Sequence, residues 1–245
     1  MSHYQFTAEQ ISQQVVKLAV DLAPVVDLNE NRAALQSFAN ALISHFPDVF
    51  ETLVSGPQQL RVNKTFHLGS GKADVVTLIW GPRGLVLTVP QRLFVSGSHD
   101  VPGMDADVVF NTAVQELGER FADRGIPRVT TTHNLVFDCA AENSLDVVSG
   151  NFVKSHWQND LRNARIQLQN ERDGKMILHD IRPTYVSPGG RSAWPAPDDA
   201  RFGIVVNVDI TVAQAPNMLS GEDVGNLLSF ANYYVPGELL GFLNG

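Results

Sequence analysis

Between Phe202 and Val212 six apolar residues, Phe202, Ile204, Val206, Val208, Ile210 and Val212, occupy successive alternate positions. Side chains of an extended chain point alternately to opposite sides, so all six lie on one face of a strand. That face must be covered by a second layer, and the strand's backbone groups must pair with neighbours. A sheet with a packed side is therefore the first requirement on any fold for this chain.

Other stretches share the two-residue period. Leu60, Val62, Phe66 and Leu68 alternate with Arg61, Asn63, Thr65 and His67, and Val129, His133, Leu135 and Phe137 alternate with Thr130, Thr132, Asn134 and Asp138. Val75–Trp80 and Leu85–Val89 flank Gly81-Pro82-Arg83-Gly84, a tight connection between antiparallel neighbours. Pro90 has no N–H to give a ladder, so the continuation through Leu93 to Val95 reads as an edge or bent strand. Arg165–Glu171 and Lys175–Arg182 flank Asp173-Gly174, and a type I′ turn needs positive φ at both central residues, which this pair tolerates. The Pro- and Gly-rich stretch Ser187–Asp199 is a loop that projects from the sheet.

Helical spacing supplies the second layer. Thr7 and Gln10 have capping-box spacing, and Ile11, Val15, Leu18 and Leu22 follow at helical intervals up to Pro24. Leu35, Phe38, Ala39, Leu42 and Phe46 form a second stripe ended by Pro47. Phe110, Ala113, Val114, Leu117 and Phe121 form a third, with Gly125 at its C′ position and Pro127 beyond. Ser155–Asn163 is a brief helical candidate. Ser220 and Asp223 cap a helix bearing Val224, Leu227, Leu228, Ala231 and Tyr234, which Pro236-Gly237 interrupts before an apolar tail, Glu238–Leu243.

The fold class expected is α+β, an antiparallel sheet or sheets packed on one face by amphipathic helices. Residues 1–139 and 150–245 each give several strands followed by a helix. They read either as two similar βββα-type halves or as one continuous domain.

Composition narrows the function. With 44% hydrophobic and 18% charged residues the chain has the means to build a core. A formal charge of −8 with scattered cations disfavours nucleic acid, since Lys154, Arg162 and Arg165 form only a loose group. The first ten residues do not read as a secretory signal, and no apolar run reaches the roughly 18 residues that a membrane helix needs. The single cysteine, Cys139, allows no intrachain disulfide and suits a reducing compartment; a cytoplasmic protein without membrane insertion is expected.

Motifs for chemistry are weak. Gly69-Ser70-Gly71-Lys72 lacks the spacing of a P-loop and has Ala73 where a hydroxyl residue would hold magnesium, so it reads as a turn. The seven histidines show no close metal-ligand spacing, and no GxSxG elbow occurs. Cys139 reads as a buried, inert thiol. Asp198-Asp199 lie in a polar loop, and Glu222-Asp223 suit the first turn of a helix. No catalytic residue, metal ligand or cofactor is assigned.

The leading expectation is a non-enzymatic interaction or assembly subunit whose partner is another protein or a second copy. Its candidate binding residues are Trp194 and Arg191 on the 187–199 loop, and Tyr233 and Tyr234 near the apolar tail. Trp194 either anchors a partner or folds back over the sheet edge, and the tail serves a core more readily than a contact. The alternative is a small-molecule enzyme with an acid–base site made from His99, Asp100, His179 and Asp180.

Overall fold

The structure is a computed structural model that describes residues 4–55, 59–67, 73–81, 83–93, 106–139, 144–152, 165–187, 192–193, 199, 201–213 and 218–245. The fold is α+β. In chain order its elements are β1 (Ile11–Ala23), α1 (Arg32–His45), β2 (Thr52–Ser55), β3 (Leu60–His67), β4 (Ala73–Gly81), β5 (Gly84–Leu93), α2 (Ala106–Arg120), β6 (Gly125–Asp138), α3 (Ser144–Phe152), β7 (Ile166–Arg172), β8 (Lys175–Val186), β9 (Ser192–Ala193), β10 (Arg201–Ala213), α4 (Gly221–Tyr233) and α5 (Leu239–Asn244).

The strands form one sheet in the order β2-β3-β4-β5-β1-β6-β10-β8-β7, with β9 added on β8. Every pairing is antiparallel. At the centre β1 lies against β6, and each of these strands leads into a helix and then into strands of its own wing. No described helix is long and apolar enough to cross a membrane.

The alternating pattern of β10 has the expected consequence. Ile204, Val206, Val208 and Ile210 are fully buried, facing the same core as Val16, Leu18 and Val20 of β1 and Leu78 and Trp80 of β4. Helices α1, α2 and α4 cover this core with Phe38, Leu42, Phe110, Ala113, Leu227 and Ala231, all essentially buried. The opposite side of β6 and its neighbour β10 carries polar cross-strand pairs: the hydroxyls of Thr130 and Thr211 are 2.9 Å apart, and the Asn134 amide donates to the Asn207 carbonyl. A smaller apolar group, Val136, Val186 and Val205, is buried on that side.

The Asp173-Gly174 turn closes β7 on β8 as expected, with φ of 51° and 69° at its two residues. Gly84, the first residue of β5, has φ of 151°, and a Cβ there would lie 1.9 Å from the carbonyl oxygen of Val20. Only glycine fits. Gly84→Ala should therefore cost about 2 kcal/mol or more, read as a lower midpoint in urea unfolding.

Four expectations are corrected. The segment Ile11–Leu22 is not a helix but the central strand β1, preceded by one 3₁₀ turn at Ala8–Gln10. Its Val16, Leu18, Val20 and Leu22 follow the two-residue period, and pairing on both sides by β5 and β6 decides between the two patterns. Gly125 is not a helix cap but the start of β6, where a Cβ would meet the Met218 side chain at 2.5 Å. Pro127 falls where β6 slips register against β1, a place that does not need its missing N–H. Pro236-Gly237 does not end the C-terminal helix: a π-helical turn, Tyr234–Glu238, carries the chain into α5. Finally, the stretch 187–199 is not loop throughout, since Ser192 and Ala193 pair with Val186 and Tyr185 as β9, while the helical candidate Ser155–Asn163 lies outside the described residues.

Strand β5 does continue past Pro90 to Leu93. There it pairs with β1 alone, next to a register shift at Gln14/Val15, since its pairing with β4 ends at Thr88. That one-sided position accommodates a residue without an N–H.

Candidate functional site: the β7 edge and its cavity

Strand β7 is the last in the sheet on its side, and no described strand pairs with its outer edge. Gln167 to Arg172 are all exposed, on both faces of the strand, while Ile166 is half-buried. The two-residue turn sets which backbone groups point where. Arg172 and Lys175 flank the turn as a hydrogen-bonded pair, so Ile166, Leu168, Asn170 and Arg172 direct N–H and C=O toward β8. By the same alternation Gln167, Gln169 and Glu171 direct theirs outward, and these are the groups available to a further strand.

Beside this edge, on the helix-covered side, lies a cavity of about 310 Å³. It is lined by Asn151 and Phe152 at the end of α3, Leu168 of β7, and Phe242, Leu243 and Asn244 of α5. Leu168 is 41% exposed despite its position on the packed side of the sheet. The cavity thus joins an apolar wall to a strand edge that has no neighbour among the described residues.

One lining residue, Phe242, packs on an internal hydrogen-bonded pair. His179 of β8 is buried, its Nε2 is 2.8 Å from the Tyr234 hydroxyl, and its ring stacks on Phe242 at 4.3 Å. Burial lowers the pKa of His179, which a bond to the Leu168 carbonyl partly opposes, and burial raises that of Tyr234. Two asparagines fix the neighbouring chain. The Tyr4 N–H donates to the Asn151 side-chain oxygen and its carbonyl accepts from the Asn151 amide, while Phe6 makes the same two bonds with Asn244. Each side-chain amide stands in for one rung of a strand ladder.

On the opposite face Arg165 holds Asp180 with two bonds of 2.8 Å. That hydrogen-bonded guanidinium keeps the Asp180 carboxyl below its ordinary value in spite of burial. His179 and Asp180, adjacent in sequence, therefore face opposite sides of the sheet and have separate partners. His99 and Asp100, the other residues of the acid–base alternative, lie outside the described residues, as does the segment 68–72.

Of the candidate binding residues, Trp194 and Arg191 lie outside the described residues. Tyr233 and Tyr234 are neighbours with different fates: Tyr233 is 63% exposed and Tyr234 is 4% exposed, committed to His179. Cys139 is buried at the end of β6. Among the described residues no group of three or more His, Cys, Asp or Glu side chains is placed to hold a metal ion.

Sequence reasoning passed over Leu168, Phe152 and Phe242. The hairpin signal located β7, but only the sheet order shows that it ends the sheet, and no local pattern brings α3 and α5 beside it.

Comparison with models of known protein families and with curated proteins returned no match. Fold and site together define an antiparallel α+β protein, covered by helices on one face and, among its described residues, open along β7.

Proposed function

We propose that this protein is a non-enzymatic interaction or assembly subunit and that it takes up a strand of a protein partner along β7. The observation that carries this reading is the outward edge of β7, with Gln167, Gln169 and Glu171 presenting backbone donors and acceptors beside an apolar cavity. Strand addition uses main-chain bonds for affinity and pockets for alternate side chains for selectivity, and both parts are adjacent here.

The plan of the sheet supports the same reading. We infer two similar halves related about the β1–β6 pair, with β5, β4 and β3 on one side corresponding to β10, β8 and β7 on the other. In that correspondence β3 is flanked by β2, whereas β7 has no described strand in the equivalent place. An intermolecular strand would occupy it. A cytoplasmic setting is part of the proposal, resting on the single buried thiol.

Gln169→Pro tests the edge. Proline removes the outward N–H of Gln169 without taking a bond from the β7–β8 ladder, so the fold should survive with an unchanged circular dichroism spectrum. The wild-type chain, used as bait or tested for self-association, should retain its partner, and the variant should lose it. Equal retention by both, or no association by the wild type at all, would remove the proposal.

A further inference from the structure

The β7 edge is complementary to itself. An antiparallel partner strand must match residues of like facing, so that Gln167, Gln169 and Glu171, whose backbone groups point outward, pair among themselves. A two-fold axis through Leu168 meets this condition. It places Gln167 opposite the second copy's Gln169, Ile166 opposite its Asn170, and Leu168 opposite itself. The exposed Glu171 then stands opposite Arg165, whose side chain is 57% exposed even while it holds Asp180. Two such cross-copy charge pairs arise, one on each side of the axis.

The packed-side pairing is equally specific. Leu168 directs its backbone toward β8, so its pair across the axis is of the non-hydrogen-bonded kind, in which side chains approach most closely. The incoming Leu168 side chain projects to the same side of the sheet as the cavity, next to the resident Leu168, Phe152 and Phe242. Symmetry gives the second copy the same contact, as an isologous dimer requires.

We infer that the strand taken up at β7 is β7 of a second copy of this chain, paired antiparallel about Leu168, each copy inserting Leu168 toward the other's cavity. This rests on the reading of β7 as a strand-accepting edge and adds the identity and register of the occupant.

Light scattering should give a mass about twice the 26.8 kDa of one chain. Leu168→Cys should form a covalent dimer with oxidised glutathione, because Cα atoms about 4.5 Å apart in a non-hydrogen-bonded pair suit a disulfide. Asn170→Cys should not, being displaced four positions from its own copy, and the native Cys139, buried, does not compete. Glu171→Arg, which sets like charges opposite Arg165, should raise the dimer dissociation constant by about tenfold.

A monomer at tens of micromolar, a dimer in which Leu168→Cys fails to cross-link, or one indifferent to Glu171→Arg would each overturn the inference. A monomer that still captures a different protein in a manner abolished by Gln169→Pro would overturn it while leaving the strand-accepting reading in place. A monomer that captures nothing would end both.

Discussion

Replacing Trp80 with alanine should lower stability by about 3 kcal/mol, and replacing it with phenylalanine should change stability by less than about 1 kcal/mol. Trp80 is wholly buried in β4, with its ring 5.0 Å from Phe121 beyond α2 and 5.5 Å from Phe38 of α1. It therefore fastens two helices to the sheet. Emptying such a site costs about 3–5 kcal/mol in transfer and cavity terms. Part of this is offset, because the indole Nε1 has no hydrogen-bond partner among the described residues and its removal ends an unmet desolvation cost. Phenylalanine retains most of the ring contacts and lacks the donor, which is why its effect is small. Urea unfolding of both variants checks the difference; similar losses for alanine and phenylalanine would mean that the ring contacts are not what matters.

Acid should weaken the fold well above the range in which carboxylates titrate. His133 lies on the packed face of the central strand β6 between Val16 and Val208, and neither ring nitrogen has a partner among the described residues. Burial lowers its pKa to about 4 from 6.5. An unfolded chain then binds a proton that the folded chain refuses, so stability is complete above pH 6.5 and falls as pH drops from 6.5 to 4. The loss amounts to about 3 kcal/mol at the lower end. His179, lowered by burial as well, acts in the same direction. Asp27, Asp180 and Asp223 have pKa values held below 3.8 and lose their contribution only beneath that value, outside this window. His133→Leu should remove most of the slope and raise stability at pH 7 by about 1 kcal/mol, since it replaces an unsatisfied buried ring with an apolar side chain. Urea unfolding at pH 8, 6.5, 5 and 4.5 checks both claims; an unaltered slope in the variant would assign the effect elsewhere.

Much of the fold is legible in local patterns. The run from Phe202 to Val212, the Asp173-Gly174 turn, the stripe of α2 and the Ser220–Asp223 cap each contain within a few residues the information that decides their conformation. Segment Ile11–Ala23 does not. It holds a helical stripe and a strand alternation at once, and the choice is made by β5 and β6, which follow much later in the chain. Chain continuation at Pro236 escapes local reading for another reason: a π-helical turn leaves room for a residue that cannot donate. The site is the least legible part. Leu168, Phe152 and Phe242 belong to three separate elements, and neither the cavity they line nor the openness of β7 exists until the sheet has an order. The pairing of His179 with Tyr234 likewise depends on two elements 55 residues apart.

The position of β1 has a consequence for biosynthesis. This first strand ends up in the middle of the sheet, flanked by β5, which is complete at Leu93, and by β6, which begins only at Gly125. As the nascent chain leaves the ribosome, one wing of the sheet can close on β1 while its second edge, the one that β6 will pair, waits for residues still being translated. That interval exposes a long central ladder to other nascent chains, so slow translation between residues 93 and 125 should increase the demand for chaperones that shield strand edges.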